Sequence, residues 1–494
     1  MSTISIGGRR AGRVSPPVTA VTVLLGVLAL AMSIAGTAVA VPRIGGDLGV
    51  SAGSLQWVVA GYNLTFAAFT LVCGSLADLF GRRRVFTLGA ALFTVAALVS
   101  AVADGIWVLN AARLLAGVGA AGMMAAGGAI LAATFEGAAR TRAFAGMGTM
   151  AGVGIAIGPS LSGWLVGEFG WRGTFGVNVG VGLLVLAGSR YAPESRAAER
   201  PRVDRAGVAT FVGGLALLMF GVMRGPEQGW GAAPVLGALA AGAVLLVAFA
   251  VVERRSDRPV LDLTLIGNVS FMGWCLGTLA TSVGFLGVLV FLPTYVQGVN
   301  GVSASEAGVM MLMLTAPVLV VPPLGGWLVT RGMSGRALIT VALALVAAGN
   351  AWLTVLHPGI GTLALLGPLL LIGMGMGLSF GITDGQAMNV VEPDRVGVAA
   401  GFLNTVRGTA EALVIAVFGA VLVSVIGART GSAVAAARIA AGDVAAHEQA
   451  AFTDGWRVTL CGVALLTALG AAAVFFMLRT RRPHHVQPMG RPMG

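Results

Sequence analysis

Fourteen long apolar runs, separated by short polar breaks, make up most of the chain; their approximate limits are 18–42, 54–77, 85–103, 106–134, 143–167, 174–191, 206–223, 232–252, 266–295, 306–329, 337–355, 362–388, 398–427 and 458–478. A run of ~20 apolar residues matches the hydrocarbon thickness of a bilayer. Its backbone must satisfy its own hydrogen bonds there, so each run is predicted to be a helix. The first, Val18 to Pro42, is too long for a signal-peptide core and has no small-residue cleavage site before the next run; it reads as a retained helix. The expected fold class is therefore all-α and integral to the membrane, with fourteen transmembrane helices.

The breaks group these helices six, two and six. A tail (1–17) leads into a six-helix half (18–191), a linker with two extra helices (192–265), a second six-helix half (266–478) and a closing tail (479–494). Two pseudo-symmetric halves rocking about a site near the membrane midplane are a common transporter plan. The segment 428–457, Ala-rich with Asp443, Glu448 and Asp454, fits either a short surface helix or a loop.

Composition agrees with this pattern. Charged residues are 10% of the chain, against about a quarter in a soluble protein, and the mean hydropathy is +0.90. The 75 glycines suit closely packed membrane helices. A net charge of +11 raises the question of nucleic acid, but the placement of the charge answers it. All 31 basic residues are Arg, and 23 of them lie in alternate segments beginning with the N-terminal tail. The opposite segments hold only Arg43, Arg172, Arg224, Arg429, Arg438 and Arg457. That asymmetry places both termini in the cytoplasm and leaves no polyanion-binding patch. An all-Arg, Ala- and Gly-rich chain points to a GC-rich bacterial genome, hence to a bacterial inner membrane.

No energy-converting chemistry is visible. A phosphate-cradling Walker loop needs a lysine, and the chain has none. The run Gly373 to Gly377 lies inside an apolar span and reads as a packing face. His357, His447, His484 and His485 are scattered, so neither a metal site nor a cofactor is expected. Cys73, Cys275 and Cys461 sit in apolar runs as small hydrophobes. Energy would have to come from an ion gradient, and an enzyme is not expected.

Between the second and third runs stands Gly74-Ser75-Leu76-Ala77-Asp78-Leu79-Phe80-Gly81-Arg82-Arg83-Arg84. Gly74 permits close helix approach, Gly81 permits the positive φ of a tight turn, and Asp78 can bind a helix terminus or an arginine across the interface as a latch. This run resembles the loop signature of the major facilitator superfamily. Gly154-Ile155-Ala156-Ile157-Gly158-Pro159, followed by Gly163, resembles that superfamily's antiporter motif. Gly170-Trp171-Arg172 with Phe175 and Asn178 is similar to the start of its sixth helix. Trp57 to Tyr62 and Gly401 to Arg407 resemble the second and penultimate spans of its fourteen-helix drug/proton antiporter family. The resemblance runs over nearly the whole chain.

It implies alternating access, with protons moving in as small organic molecules move out. The latch would comprise Gly74, Asp78, Gly81, Arg82 and Arg83. The seal would comprise Gly154, Gly158, Pro159 and Gly163, whose glycines clear one helix face while the proline removes a backbone hydrogen bond; generic small-residue packing is the alternative. Arg113 lies ~10 Å into its span, where a guanidinium costs several kcal/mol unless it meets water or a partner. In the family pattern it takes part in proton coupling; a purely structural role tied to backbone carbonyls stays open. Aromatic and polar residues on cavity-lining spans, namely Tyr62, Asn63, Phe66, Tyr295, Gln297 and Asn404 with Ser33, are candidates for the substrate cavity, with lipid-facing placement the alternative for each aromatic.

The departures from the pattern carry most information. The family's first-span Asp is Ser33 here, the following Asn is Ala38, and the Gln after the arginine is Ala116. The thirteenth span instead carries Glu411, and the twelfth carries Asp384. Arg407 and Glu411, spaced i,i+4, fall on one helix face within pairing distance. Either Glu411 loads and releases a proton, with Asp384 the second candidate, or Arg407 holds it ionised. The expected partners are a small-molecule substrate, protons and lipid, for a monomer. The rival functions are a nutrient symporter of the same fold and a membrane sensor that transports nothing.

Overall fold

The computed structural model describes residues 15–50, 52–196, 205–255, 263–391 and 396–479. Among them the secondary structure is helical. The N-terminal half contains α1 (Pro16–Leu48), α2 (Ala52–Phe80), α3 (Arg82–Ala101), α4 (Ile106–Thr134), α5 (Gly137–Phe169) and α6 (Trp171–Ser189). A hairpin follows, α7 (Arg205–Gln228) and α8 (Ala233–Arg255). The C-terminal half contains α9 (Val269–Asn300), α10 (Ala304–Val320), α11 (Pro322–Thr330), α12 (Gly335–Leu353), α13 (Leu366–Asn389), α14 (Val396–Thr430), α15 (Ala433–Ala440) and α16 (Gln449–Met477).

Among the described residues, twelve helices are long and apolar enough to cross a membrane, and thirteen if the bent α2 is one span. The sequence reading of fourteen is thus met only in part, because α6 is not among them; its 19 residues include Arg172, Asn178 and five glycines. Two spans are not straight. α10 and α11 form a single span, Ala304–Thr330, interrupted at Pro322 and Pro323, which lack the N–H a continuous helix needs. α2 bends by 48° at residue 71; beside the bend the Thr70 hydroxyl donates to Phe66 O, a local competitor for the helix ladder.

Helix ends follow capping chemistry. Asn268 caps α9 through Phe271 N, and Ser303 with Glu306 forms a reciprocal capping box at α10. The segment 428–457 contains a short helix, α15, capped by Ser432. Arg438 on α15 donates to Glu448 and to Asp443 O at 2.8 Å, which folds the segment back on itself.

The halves meet along a seam. α1 faces α9, α2 faces α14 and α5 faces α10, and the α7–α8 hairpin leans α7 on α2 and α14. At one end the seam is bridged by Gln297 Nε2 donating to Val39 O at 3.3 Å. Gly442, just after α15, is wedged there between Pro42 and Thr294, close enough that a Cβ would lie 3.5 Å and 3.1 Å from their side chains.

Candidate functional site

Arg113 on α4 is enclosed by helices of the N-terminal half, whereas Arg407 and Glu411 lie on α14, a seam helix, and Asp384 joins them from α13. Arg113 is 2% exposed. Its Nε donates to Val58 O at 2.8 Å and one terminal nitrogen donates to Ser33 Oγ at 2.8 Å. The guanidinium lies over the Tyr62 ring, 4.3 Å from its centroid, with Phe175 on another side at 5.8 Å. The other terminal nitrogen has no hydrogen-bond partner. Ser33 therefore stands where an acid would have paired with this arginine, and a neutral hydroxyl takes its place.

Arg407 is held differently. Its guanidinium donates to Asp384 Oδ1 at 2.5 Å and approaches the Phe380 ring at 5.3 Å. The expected i,i+4 ion pair with Glu411 does not form. Helical side chains lean toward their own N-terminus, so the long Arg407 chain is carried away from position 411 and meets the acid on α13. Asp384 remains 55% exposed at its side chain while Arg407 is 19% exposed.

Glu411 is left half-buried. Among the described residues it forms neither a hydrogen bond nor an ion pair, though Arg407 acts on it electrostatically. α14 packs closely on α2 here: a Cβ at Gly408 would stand 2.9 Å from Ala67 Cβ.

The loop signature makes a tight local knot. Gly81 has φ 114, a backbone that L side chains rarely adopt. Asp78 accepts from Arg82 Nε at 3.1 Å and Nη2 at 3.0 Å, so its partner sits one turn on rather than across the halves. Arg82 N donates to Ser195 O at 2.9 Å, and Arg83 and Arg84 lie 3.6 and 3.9 Å from Glu194. Gly74 has open space around it. Glu194 and Ser195, after α6, are partners that sequence reasoning missed; an acid among the arginines of the basic linker was the available signal.

The fifth-span glycines face two ways. A Cβ at Gly154 would lie 2.6 Å from Ala31 Cβ, and one at Gly158 3.2 Å from Ala35 Cβ, so both press α5 onto α1. Gly163 meets Ala304 and Gly308 of α10, and a Cβ at Gly308 would lie 2.6 Å from Pro159 O. Ser160 Oγ donates to Gly308 O at 3.2 Å and Thr315 Oγ1 to Ala156 O at 3.2 Å. The motif thus closes α5 on its own half and on the opposite half at once.

Among the cavity candidates, Ser33 and Tyr62 are buried against Arg113, Asn63 is buried with its amide donating to Val59 O, and Phe66 stacks on Tyr62 with centroids 6.4 Å apart. Gln297 bridges the seam. Tyr295 turns into the C-terminal half, bonded to Thr453 at 2.8 Å and packed on Phe452 and Trp456, so it faces a core rather than an open cavity. The Asn404 side chain lies outside the described residues.

The sequence profile described as Major Facilitator Superfamily matches residues 23–415. The chain is 36% identical over 504 residues to the cephamycin export protein CmcT of Amycolatopsis lactamdurans, covering 98% of this chain and 99% of that one. It is 35% identical over 387 residues to the multidrug resistance protein Stp of Mycobacterium tuberculosis, covering 78% and 72%. In fold it is similar to a bacterial homologue of the lysosomal transporter Spinster, with a TM-score of 0.63 at 16% identity over 96% of this chain and 98% of that one. A helical bundle and a match across most of the chain lead to one assignment: this protein belongs to the Major Facilitator Superfamily.

Proposed function

We infer that this protein exports small organic molecules, drugs or antibiotics among them, in exchange for protons and by alternating access. The names of its relatives, a cephamycin exporter and a multidrug resistance protein, support the export direction and the substrate class. The observation that carries the proton assignment is Glu411, a half-buried carboxylate at the seam with no hydrogen-bond or ion-pair partner among the described residues. A proton carrier must change its protonation state during the cycle. Asp384 has Arg407 as its ion-pair partner, whereas Glu411 has no bonded cation among the described residues.

The arginine pattern supports a bacterial inner-membrane protein with both termini cytoplasmic, and α6 completes fourteen spans in that arrangement. The seam closed near Pro42, Thr294 and Gly442 then faces outward, which fits an inward-facing state. The knot of Asp78, Gly81, Arg82 and Arg83 with Gly74 acts as the cytoplasmic latch, and Gly154, Gly158, Pro159 and Gly163 as the seal. The protein works as a monomer, each chain holding its own pathway between the halves.

Reconstituted vesicles test this reading with cephamycin and a cationic dye as probes. Glu411→Gln is expected to abolish gradient-driven export yet permit downhill exchange, because Gln mimics the protonated acid. Uphill export near the parent rate by this variant would refute the carrier assignment. Cysteines placed at 43–50 and 433–445 in a Cys-free background should label from outside; labelling at 254–255 instead would invert the topology.

A further inference from the structure

The connector from α14 to α16 carries α15 across the end of the seam that Gln297 bridges. It touches α2, α7 and α9 as well as α14, so elements of both halves meet it. One cation holds its fold. Arg438 donates to Glu448 and to Asp443 O at 2.8 Å, and the second Glu448 oxygen accepts from Ala445 N at 3.0 Å. Glu448 is only 8% exposed, and a charged pair so enclosed is costly to split. Gln449 Nε2 donates to Val299 O at 3.3 Å, which fastens the connector to the end of α9.

Inside this clasp Gly442 has φ 97, a conformation that glycine adopts readily. Its two neighbours hold it unequally. A Cβ at Gly298 of α9 would lie 2.6 Å from Gly442 O and 3.0 Å from its Cα, so backbone meets backbone there. On the α1 side the approach is looser: a Cβ at Gly442 would lie 3.5 Å from Pro42 Cβ, and one at Gly45 3.9 Å from Ala441 O. The connector is bound to the C-terminal half and only rests on α1. Beneath it, Ala440 and Ala441 roof a cavity of about 20 Å³ between Leu55 and Gln56 of α2 and Phe291 and Thr294 of α9, space for about one water. Gln56 Oε1 is buried there without a hydrogen-bond partner, a cost of the closed state that water entering from this end would relieve.

We propose that this connector is a strap over the seam, clasped by Arg438 and Glu448, which travels with the C-terminal half and parts from α1 at Pro42 and Gly45 when that end opens, uncovering Gln56. With both termini cytoplasmic this end is the outer one, and the strap is then the last barrier an exported molecule passes. The inference rests on the exporter reading for that purpose but not for its first test.

The full chain in detergent tests the strap, with Gln56→Cys as its only cysteine and a charged maleimide as the probe. Both ends of the protein are accessible there, so neither topology nor export enters. The thiol should react slowly in this background. Glu448→Gln and Arg438→Gln each break the clasp and should speed the reaction by about tenfold or more, the scale of a lost charge-assisted hydrogen bond. Arg429→Gln, which loses only the exposed pair with Asp454, should leave the rate unchanged. Equal rates in all four proteins, or the same gain from Arg429→Gln, would overturn the strap; if one clasp variant does not assemble, the other decides. In vesicles, Pro42→Cys with Gly442→Cys, placed 3.5 Å apart at Cβ and so within disulfide reach, should stop export when oxidised and restore it when reduced. Export that continues through the disulfide would overturn the strap as well. A parent that exports nothing, while the clasp variants still speed the thiol reaction, would end the exporter reading alone.

Discussion

The two arginines inside the bundle illustrate opposite solutions to one problem. Arg407 has a carboxylate from the neighbouring helix and an aromatic face; Arg113 has a hydroxyl, a carbonyl and two rings, and is the more deeply buried of the two. The better hidden charge is the worse compensated. A structural arginine would be expected to show the reverse, because desolvation is tolerated only when a partner offsets it. The C-terminal half is locally neutralised by the Arg407–Asp384 pair, with Glu411 in excess. The N-terminal half carries Arg113 in excess. Under the proposed function, proton coupling would belong where the compensation is incomplete.

This contrast can be broken most decisively at Arg113. Arg113→Ala should reduce gradient-driven export on the order of tenfold or more, the scale of a site-to-site coupling energy, measured as initial efflux rate in vesicles. If Arg407→Ala shows the larger loss, the ranking of the two arginines is wrong. Overpacking comes next. Gly154→Leu forces atoms where even a Cβ would sit 2.6 Å from Ala31 and 2.8 Å from Leu28 O, at a cost of about 1–3 kcal/mol. It should lower the unfolding midpoint and let protons leak, seen as faster dye-reported collapse of an imposed gradient. The same change at Gly176, which has open space around it, should do neither.

Smaller effects follow at the latch and at the paired arginine. Asp78→Asn removes the negative charge that two Arg82 donors meet and should slow transport severalfold while equilibrium binding stays within about threefold. A selective loss of binding affinity would place Asp78 in the substrate site instead. Arg407→Gln should change stability by only about 1 kcal/mol, since the acid it leaves is half solvated and surface-like pairs are worth little. A loss well beyond that would show the pair to be drier than its geometry implies.

Much of this was legible beforehand, and the exceptions have identifiable causes. Apolar run lengths found the helices because a bilayer leaves few alternatives to them. The break between α10 and α11 could be read at Pro322–Pro323, whereas α6 fell short by composition because Arg172, Asn178 and its glycines dilute a short run. The substitution at Ser33 was visible as a missing acid, and Glu411 as an extra one. Spacing alone could not tell which acid Arg407 would choose. The rule for i,i+4 pairs describes an isolated helix, while Asp384 arrives from a helix that only the tertiary fold brings alongside. Asp78 shows the reverse: a helix terminus or an arginine across the interface was expected, and the turn at Gly81 supplied Arg82 at the start of the next helix.

The central claim is that Glu411, rather than Asp384, carries the proton. The most direct measurement is proton release from the purified protein in weakly buffered detergent on adding a transported compound, identified first by the resistance its expression confers. The parent and Asp384→Asn should each release protons when the compound binds, and Glu411→Gln should release none. Release that persists in Glu411→Gln and disappears in Asp384→Asn would contradict the account.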